Sequence, residues 1–296
     1  MRKYKMIFFN WDGTAVTSRI APVDAAAEAM APLLASGVKL AIISDASFNK
    51  IDNGKLAGRF DPEHRSNLFF GLDRGAHNFR FDMDGKPVRF SGIMAGQKDS
   101  FALHKVCFDF HIKLLRDYGL NTDIVFCRDN FCKIDVGADI LRSGNQHLNS
   151  NSQFFINCRM ERVNAHLASH GYAGGLSGLI TMAKAMGREY GLSLKATTDA
   201  KYIELGFGTK SDSVDAIFSH IESASGACPD CCFWGGEYLK MDDGLYGSDA
   251  YMITDKTKDF EFFDVSDADG ERPEQVLHLG GGVERFLWFL RKQACA

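Results

Sequence analysis

Two short apolar runs separated by a helical segment constrain the fold of this chain more than any other feature. The first run, Lys5 to Phe9, ends in a polar turn, and the second runs from Val38 to Ile43. Between them, Val23 to Ser36 is rich in Ala, Leu, Met and Glu at helical spacing, and Gly37 stands where such a helix should end. Strand, helix and strand with short links predict a right-handed parallel crossover.

The later segments extend this sheet and then interrupt it. Asn67 to Gly71 is predicted to form a third strand, and Asn78 to Phe90 a β-hairpin. A long amphipathic helix is then expected from Gln97 to Tyr118, followed by short strands and helices in an order of their own. From Lys210 the pattern returns to a helix, a strand from Cys231 to Gly235, a further helix and a last strand near Phe260 to Phe263. We therefore predict an α/β fold with a doubly wound parallel-sheet core, residues 1–90 and 200–296, and an inserted α/β cap domain, residues 91–199.

Charge and hydropathy exclude several classes of protein. The formal net charge is −4, so no general attraction for nucleic acid or for an anionic membrane is expected. No run approaches the ~18 uninterrupted apolar residues of a membrane span. The apolar run near Met1 is also too short for a signal peptide, and we expect a cytoplasmic protein. Composition does not determine the oligomeric state.

The eight cysteines fit a reducing compartment if they are free thiols. Cys228, Cys231 and Cys232 form one dense group. A zinc site would need a second ligand pair, for which Cys127 and Cys132 are only loose candidates. We favour ordinary thiols beside a buried strand.

The polar residues after the first predicted strand are the clearest functional signal. Asn10 and Asp12 are two residues apart, so both side chains can face the crevice at the carboxyl edge of the sheet, where ligands bind in such folds. Gly13 permits a sharp turn, and the hydroxyl of Thr14 can cap that turn or bind a ligand.

Two further positions are suited to hold a phosphate. Ser44, followed by Asp45, comes at the end of the second strand, and its hydroxyl could hold a phosphate oxygen. Lys210 opens a helix, where a positive charge opposes the helix dipole and makes more sense beside an anion.

Acidic residues after a later strand are candidates for a metal site. Glu237 and Asp249 follow the strand that ends at Trp234 and would bring carboxylates beside Asp12. Carboxylate oxygens are the ligands that a hard cation such as Mg²⁺ prefers.

These segments, in this order, resemble the four motifs of the haloacid-dehalogenase (HAD) superfamily of phosphotransferases. The first motif of that family is Asp-x-Asp-Gly-Thr, which residues 10–14 match except at Asn10. Ser44 resembles the second motif, Lys210 the third, and Glu237 with Asp249 the acidic fourth. The inserted segment resembles the α/β cap of the sugar-phosphatase branch, which includes trehalose-phosphate phosphatases. The resemblance covers the two core stretches, about residues 1–90 and 200–296.

The resemblance implies phosphoryl transfer from a small phosphorylated metabolite, such as a sugar phosphate, with Mg²⁺ as cofactor. A carboxylate in place of the Asn10 amide would attack phosphorus, and Asp12 would protonate the leaving oxygen and then activate water. The residues that the resemblance places around the phosphoryl group are Gly13, Thr14, Ser44, Asp45 and Lys210. The implied metal ligands are Asn10, Asp12, Glu237 and Asp249.

Asn10 leaves three explanations open, because an amide cannot form an aspartyl-phosphate intermediate. It is a substitution made to trap substrate, a natural residue of an inactive phosphometabolite-binding protein, or a nucleophile replaced by another residue. We favour the first, since the rest of the constellation is intact. A phosphomutase is a further alternative.

Several other residues have weaker functional interpretations. Arg128, Lys133 and Arg159 of the cap could bind substrate but are more typical of surface charges. Asp242 and Asp243 are expected in a solvated loop. The run from His278 to Gly282 could cradle a phosphate, although a plain glycine turn is favoured.

Overall fold

The computed structural model describes residues 2–18, 20–126, 128, 130–138, 153–226, 230–242 and 244–295, without the side chains of 153–159 and 225. The strands are β1 Met6–Asn10, β2 Lys39–Ile43, β3 Leu68–Leu72, β4 His77–Phe81, β5 Pro87–Ser91, β6 Asp123–Val125, β7 Phe131–Asp135, β8 Lys195–Thr198, β9 Tyr202–Gly206, β10 Cys231–Gly235, β11 Lys240–Asp242, β12 Leu245–Tyr246, β13 Glu261–Asp264 and β14 Val276–His278. The α-helices are α1 Asp24–Ala35, α2 Gln97–Tyr118, α3 Gln153–Ser169, α4 Gly175–Glu189, α5 Lys210–Ser225 and α6 Gly282–Cys295. No helix within these ranges is long and apolar enough to cross a membrane.

The larger sheet has eight strands in the order β14-β13-β10-β1-β2-β3-β4-β5. The strands from β14 to β3 are parallel to one another, and β4 and β5 add an antiparallel hairpin at the edge. Because parallel strands point the same way, the residues that follow β1, β2 and β10 emerge at one edge of the sheet. This edge carries the candidate site.

Both faces of this sheet are covered, as a parallel sheet requires. In β1, Ile7 and Phe9 pack with α1 and α6 on one face, while Met6 and Phe8 pack with α5 on the other. All four side chains are completely buried. The predicted α/β class with a doubly wound core is confirmed.

A second sheet has the order β6-β7-β9-β8 and is antiparallel throughout. Its apolar side chains share a separate hydrophobic core with α2, α3 and α4. We call this layer, residues 97–206, the cap layer. The predicted limit at residue 199 would divide the sheet before β9, which pairs with both β7 and β8.

Short and weakly apolar elements account for the differences from the predicted order. The helix expected between β10 and β13 is only a 3₁₀ turn, Ser248–Met252. The segment near Phe260 to Phe263 is not the last strand, because β14 follows it at the edge of the sheet. The sequence did not predict β14, since this strand has three residues and none of them is buried. Nor did the periodicity predict α3.

The cysteines of β10 behave as buried apolar residues. Cys231 and Cys232 point to opposite faces of the sheet and join its two hydrophobic cores. Cys132 is buried in the core of the cap layer. Cys127 and Cys228, which the zinc alternative would also require, lie outside the described residues.

Close packing of α5 on β3 positions the beginning of α5. A Cβ atom added to Gly71 would lie 2.4 Å from the Cβ of Ser213. We therefore expect Gly71→Ala to reduce the free energy of unfolding by about 1–3 kcal/mol, the usual cost of overpacking. Urea denaturation measures this change.

Gly58→Ala is the matched control, because a Cβ at Gly58 meets no atom within 4 Å. An equal loss of stability in both variants would show that the α5–β3 contact is not tight.

Candidate active site

The side chain of Asn10, the last residue of β1, is held by hydrogen bonds to the backbone of the residues that follow it. Asn10 is 3% exposed. Its Nδ2 donates a hydrogen bond to the carbonyl oxygen of Asp12 at 2.9 Å, and its Oδ1 accepts one from the N–H of Trp11 at 2.9 Å. Gly13 has φ +77°, and its N–H donates to the carbonyl of Val16 at 2.7 Å. The turn after β1 is therefore stabilised by both polar atoms of the Asn10 side chain and by the Gly13 N–H group.

The Asn10 contacts have a chemical consequence. The amide group supplies a proton between its own nitrogen and the Asp12 carbonyl oxygen. A carboxylate at position 10 would set two oxygens against each other there, because an ionised carboxylate only accepts hydrogen bonds. A cation between those oxygens would relieve the repulsion. Asn10 thus takes a geometry that an aspartate would need a metal ion to adopt.

Thr14 and Ser44 bring two hydroxyls to the same edge of the sheet. Thr14 is fully buried, and its Oγ1 has no hydrogen-bond partner within the described part of the chain. Ser44 is 2% exposed. Its Oγ accepts from the N–H of Ala46 at 3.1 Å and so shapes the turn after β2. Because a hydroxyl can donate and accept at once, this bond leaves the Ser44 proton available to a ligand.

Lys210 is the first residue of α5 and is almost fully buried. Thr209 and Asp212 form a capping box around the beginning of the helix. The Nζ of Lys210 donates to Asp249 Oδ1 at 2.7 Å and to Ser248 Oγ at 2.7 Å. Burial alone would lower the pKa of Lys210, but the carboxylates of Asp249, Asp45 and Glu237 outweigh it and raise the pKa. Lys210 is therefore a permanent cation at the sheet edge.

Asp249 is completely buried and uses both carboxylate oxygens within the protein. Oδ1 accepts from Lys210, and Oδ2 accepts from the N–H groups of Gly236 and Glu237, each at 2.9 Å. A Cβ on Gly235 would lie 2.4 Å from that Oδ2, so the approach requires a glycine. Asp249 therefore fixes both Lys210 and the loop after β10.

Glu237 is a second acidic residue of this loop and could coordinate a metal ion. Its Oε2 accepts from Ser248 Oγ at 2.6 Å. Burial raises the pKa of Glu237 to about 7, although the Lys210 ammonium acts in the opposite direction. A buried carboxylate of this kind gains from a cation partner.

The donor set fits Mg²⁺ only in part. Asp12, with its backbone carbonyl, and Glu237 are suitable hard ligands. Gly236 reaches the turn after β1, since a Cβ on it would lie 3.2 Å from the carbonyl oxygen of Gly13. Among the described residues, however, no group of three or more His, Cys, Asp or Glu side chains is already arranged around a common point. Any remaining ligands would be water or ligand oxygens, which Mg²⁺ commonly retains.

A second buried polar cluster lies where the cap layer meets the core. Arg74, 1% exposed, donates to Glu204 Oε2 at 2.7 Å, to the Gly208 carbonyl at 3.1 Å and to Thr197 Oγ1. Lys133 also donates to Glu204. Burial alone would raise the pKa of Glu204, but Lys133 and Arg74 hold it below its usual range. We call Arg74, Lys133, Thr197 and Glu204 the cap cluster.

Asp45 connects the cap cluster electrostatically with Lys210. Burial raises the pKa of Asp45, while Lys210, Arg74 and Lys133 act to lower it. Nη2 of Arg74 has no hydrogen-bond partner among the described residues. The cap cluster therefore retains a free donor. Glu204 was not predicted from the sequence, because one acidic residue in an apolar strand gives no functional signal of its own.

The other predicted cap cations have different positions. Arg128 lies 3.7 Å from Asp73 Oδ1 and is stacked 5.8 Å from the ring centroid of Phe131. The guanidinium of Arg74 lies 5.2 Å from the same centroid. The side chain of Arg159 is outside the described part of the structure.

The glycine turn before α6 is occupied by protein groups. Gly281 N–H donates to Asp267 Oδ1 at 2.6 Å, and His278 Nε2 is 2.7 Å from the Ser266 carbonyl. The favoured plain-turn interpretation agrees with these contacts.

Asp242 is not in a solvated loop, contrary to the prediction. It accepts a hydrogen bond from the N–H of Ser177 in the cap layer at 3.0 Å. Asp243, its predicted partner in that loop, lies outside the described residues. The error arose because sequence alone does not show that the β11–β12 hairpin reaches the cap layer.

Comparison with known proteins supports the fold. No protein-family model matches the sequence, and no curated protein matches it. An N-terminally truncated IMP-nucleotidase from Plasmodium falciparum is similar in structure, with 12% identity over 99% of this chain and 70% of that chain and a TM-score of 0.58. The ATP-bound form of that nucleotidase gives a TM-score of 0.57 at 12% identity, over 99% of this chain and 60% of that one.

A protein from Eubacterium rectale aligns over 98% of both chains with a TM-score of 0.52 and 12% identity. Identities this low establish the fold and not the activity. The chain therefore shares its α/β fold with these solved structures.

Proposed function

We propose that this chain is built for the hydrolysis of a small phosphorylated metabolite with Mg²⁺, and that Asn10 leaves it able to bind the ligand but not to turn it over. The observation that carries the proposal is the buried Lys210, clamped by Asp249 and Ser248 beside the ends of β1 and β2. A buried cation so firmly held is suited to bind a phosphoryl oxygen.

Each residue of the site has a distinct role in this proposal. Lys210, Thr14 and Ser44 hold the phosphoryl oxygens, and Asp12 exchanges the proton with the leaving oxygen. Position 10 provides the nucleophile when it is an aspartate. Mg²⁺, held by Asp12, its carbonyl and Glu237, would neutralise charge on the phosphoryl group. Asp249 positions Lys210.

The donors and acceptors of the cap cluster favour a ligand whose leaving group carries several hydroxyl groups, such as a sugar phosphate. Lys133 and Arg74 donate hydrogen bonds and Glu204 accepts them, so hydroxyl groups, which both donate and accept, can bind either kind of group. The cluster is linked to Lys210 through Asp45. IMP belongs among the candidates too, since a nucleotidase has a similar fold. A cytoplasmic location and action on metabolites rather than nucleic acid remain part of this proposal.

An inactive binding protein is the second candidate, and the Asn10 hydrogen bond to Asp12 favours it. That bond satisfies the position without a metal ion. The neutral amide also removes one repulsion against a phosphate dianion, so ligand affinity could be higher than in an active enzyme.

Restoring a carboxylate separates the two candidates. We expect Asn10→Asp to create Mg²⁺-dependent phosphatase activity, with a gain of about 10⁴-fold or more, as losses of nucleophiles in other hydrolases indicate. Release of inorganic phosphate from a panel of sugar phosphates, nucleoside monophosphates including IMP, and an aryl phosphate measures it.

The double variant Asn10→Asp with Asp12→Asn is the control, since it restores the nucleophile but removes the proton donor. It should lose most of the gain. If Asn10→Asp stays inert on the whole panel, the binding-protein candidate replaces the enzyme.

Removing Lys210 tests its two roles separately. Lys210→Met should weaken binding of inorganic phosphate by about 2–4 kcal/mol. It should also lower the free energy of unfolding by about 3–5 kcal/mol, because Asp249 is left buried without its partner. Calorimetric titration and urea denaturation measure the two effects.

Adding Asp249→Asn to Lys210→Met should recover stability, because the amide oxygen still accepts from the loop N–H groups, but it should not recover phosphate binding. Recovery of both would mean that Lys210 acts only in folding.

Specificity should depend on the cap cluster. In the Asn10→Asp background, Lys133→Met should lower kcat/KM for the preferred sugar phosphate by about 10- to 100-fold, the value of one or two hydrogen bonds to a charged group. Hydrolysis of the aryl phosphate should stay within about twofold, since it makes no such contacts.

Lys113→Met serves as the matched control, because Lys113 is a cap lysine that pairs with Asp117 on the surface of α2. An equal loss on both substrates with Lys133→Met would assign the cap cluster a structural role.

A further inference from the structure

The segment between Glu237 and Asp249 is a β-hairpin whose base is the acidic part of the site. At the base, Glu237 accepts a hydrogen bond from the N–H of Asp249 at 3.1 Å, and Leu239 accepts one from Gly247 at 2.9 Å. A Cβ on Gly247 would lie 2.3 Å from the Glu237 carbonyl oxygen, so the two arms touch. Glu237 and Asp249 are therefore held at one end of a single small element.

The other end of this hairpin is buried in the cap layer. Met241 and Leu245, 5% and 7% exposed, belong to the hydrophobic core formed by α2, α3 and α4. They are not part of either core of the large sheet. Burying two such side chains contributes about 1.5–3 kcal/mol each. The hairpin that bears Glu237 and Asp249 is thus anchored in the cap layer.

Asp242 adds a directional contact between hairpin and cap. Its Oδ2 accepts from Ser177 N–H, one of the otherwise unpaired donors in the first turn of α4. The residue before α4 is Gly174, which makes no side-chain cap of its own. A Cβ on Gly175 would lie 2.9 Å from that Oδ2, so the beginning of α4 fits closely against the carboxylate. Asp242 is the N-terminal cap of a helix 65 residues away in sequence.

We propose that Asp242 is a positioning residue for the metal site: by fixing the β11–β12 hairpin to α4, it sets the position of Glu237 at the base of that hairpin. The inference rests on the metal-site part of the proposed function. Because the hairpin is anchored at both ends, metal binding at Glu237 and the contact of Asp242 with α4 are coupled.

Metal affinity tests this coupling without any turnover. With the chain as written, Asp242→Ala should weaken Mn²⁺ and Mg²⁺ binding by about fivefold in calorimetric titration, corresponding to the loss of one helix cap. Asp242→Asn keeps an acceptor oxygen and should bind metal within about twofold of the parent. Thr181→Ala, which removes a hydroxyl on the exposed side of α4, is the matched control and should have no effect.

Hydrogen exchange gives the reciprocal measurement and needs no variant. Because coupling between two sites is mutual, Mg²⁺ should slow exchange of the Ser177 amide in the unmodified chain by about the same factor of five. The slowing should disappear in Asp242→Ala.

The outcomes distinguish this inference from the proposed function. An active Asn10→Asp enzyme whose metal affinity is unchanged by Asp242→Ala would overturn the positioning role alone. A protein inert on every phosphate, yet with metal affinity that depends on Asp242, would support the positioning role and overturn only the hydrolase. Exchange at Ser177 that ignores Mg²⁺ would also count against the coupling.

Discussion

The buried ion pair of Lys210 and Asp249 is the constraint on which the site depends. Two opposite charges are removed from water at the carboxyl edge of the sheet, and such a pair is tolerated only when its remaining hydrogen-bonding capacity is satisfied. Asp249 meets this requirement by accepting two backbone N–H groups from the loop after β10. The same carboxylate therefore orients the lysine and closes the loop that bears Glu237. Loss of the pair would disturb the Lys210 side chain and the Glu237 loop together.

A second buried polar network links the core to the cap layer. Arg74 leaves the core in a left-handed backbone conformation, with φ +57°, and reaches Glu204 on a central strand of the cap sheet. Residues in this region of φ are uncommon, and they persist where the surroundings over-determine them. Asp242 at the hairpin tip and the ion pair of Lys195 with Asp212 are further polar attachments of the cap layer to the core. The cap layer is thus tied to the core by several buried and half-buried polar contacts.

Asn10 is compatible with everything around it. Its amide donates to one backbone group and accepts from another, so the Asn10 side chain is hydrogen-bonded at both polar atoms without a metal ion. An aspartate would break this balance and create a demand for a cation at the same place. The side-chain N–H group of Asn10 thus stabilises a turn that an aspartate would adopt only with a cation beside it.

Local patterns in the sequence were sufficient for the parallel core, because apolar runs such as Lys5 to Phe9 can be buried only as inner strands. They also brought Asn10 and Ser44 to one edge, since parallel strands end on the same side. Lys210 follows β9 of the cap sheet, so the parallel-strand argument does not place it. The hydrogen bonds of Asp242 and Glu204 depended on contacts between residues 65 and 130 positions apart, which no local periodicity records. By itself, then, the sequence determined the parallel sheet and the polar residues that follow its first two strands. Only the tertiary structure decided which carboxylate holds the lysine, because each oxygen can satisfy only the partners that the folded chain brings within reach.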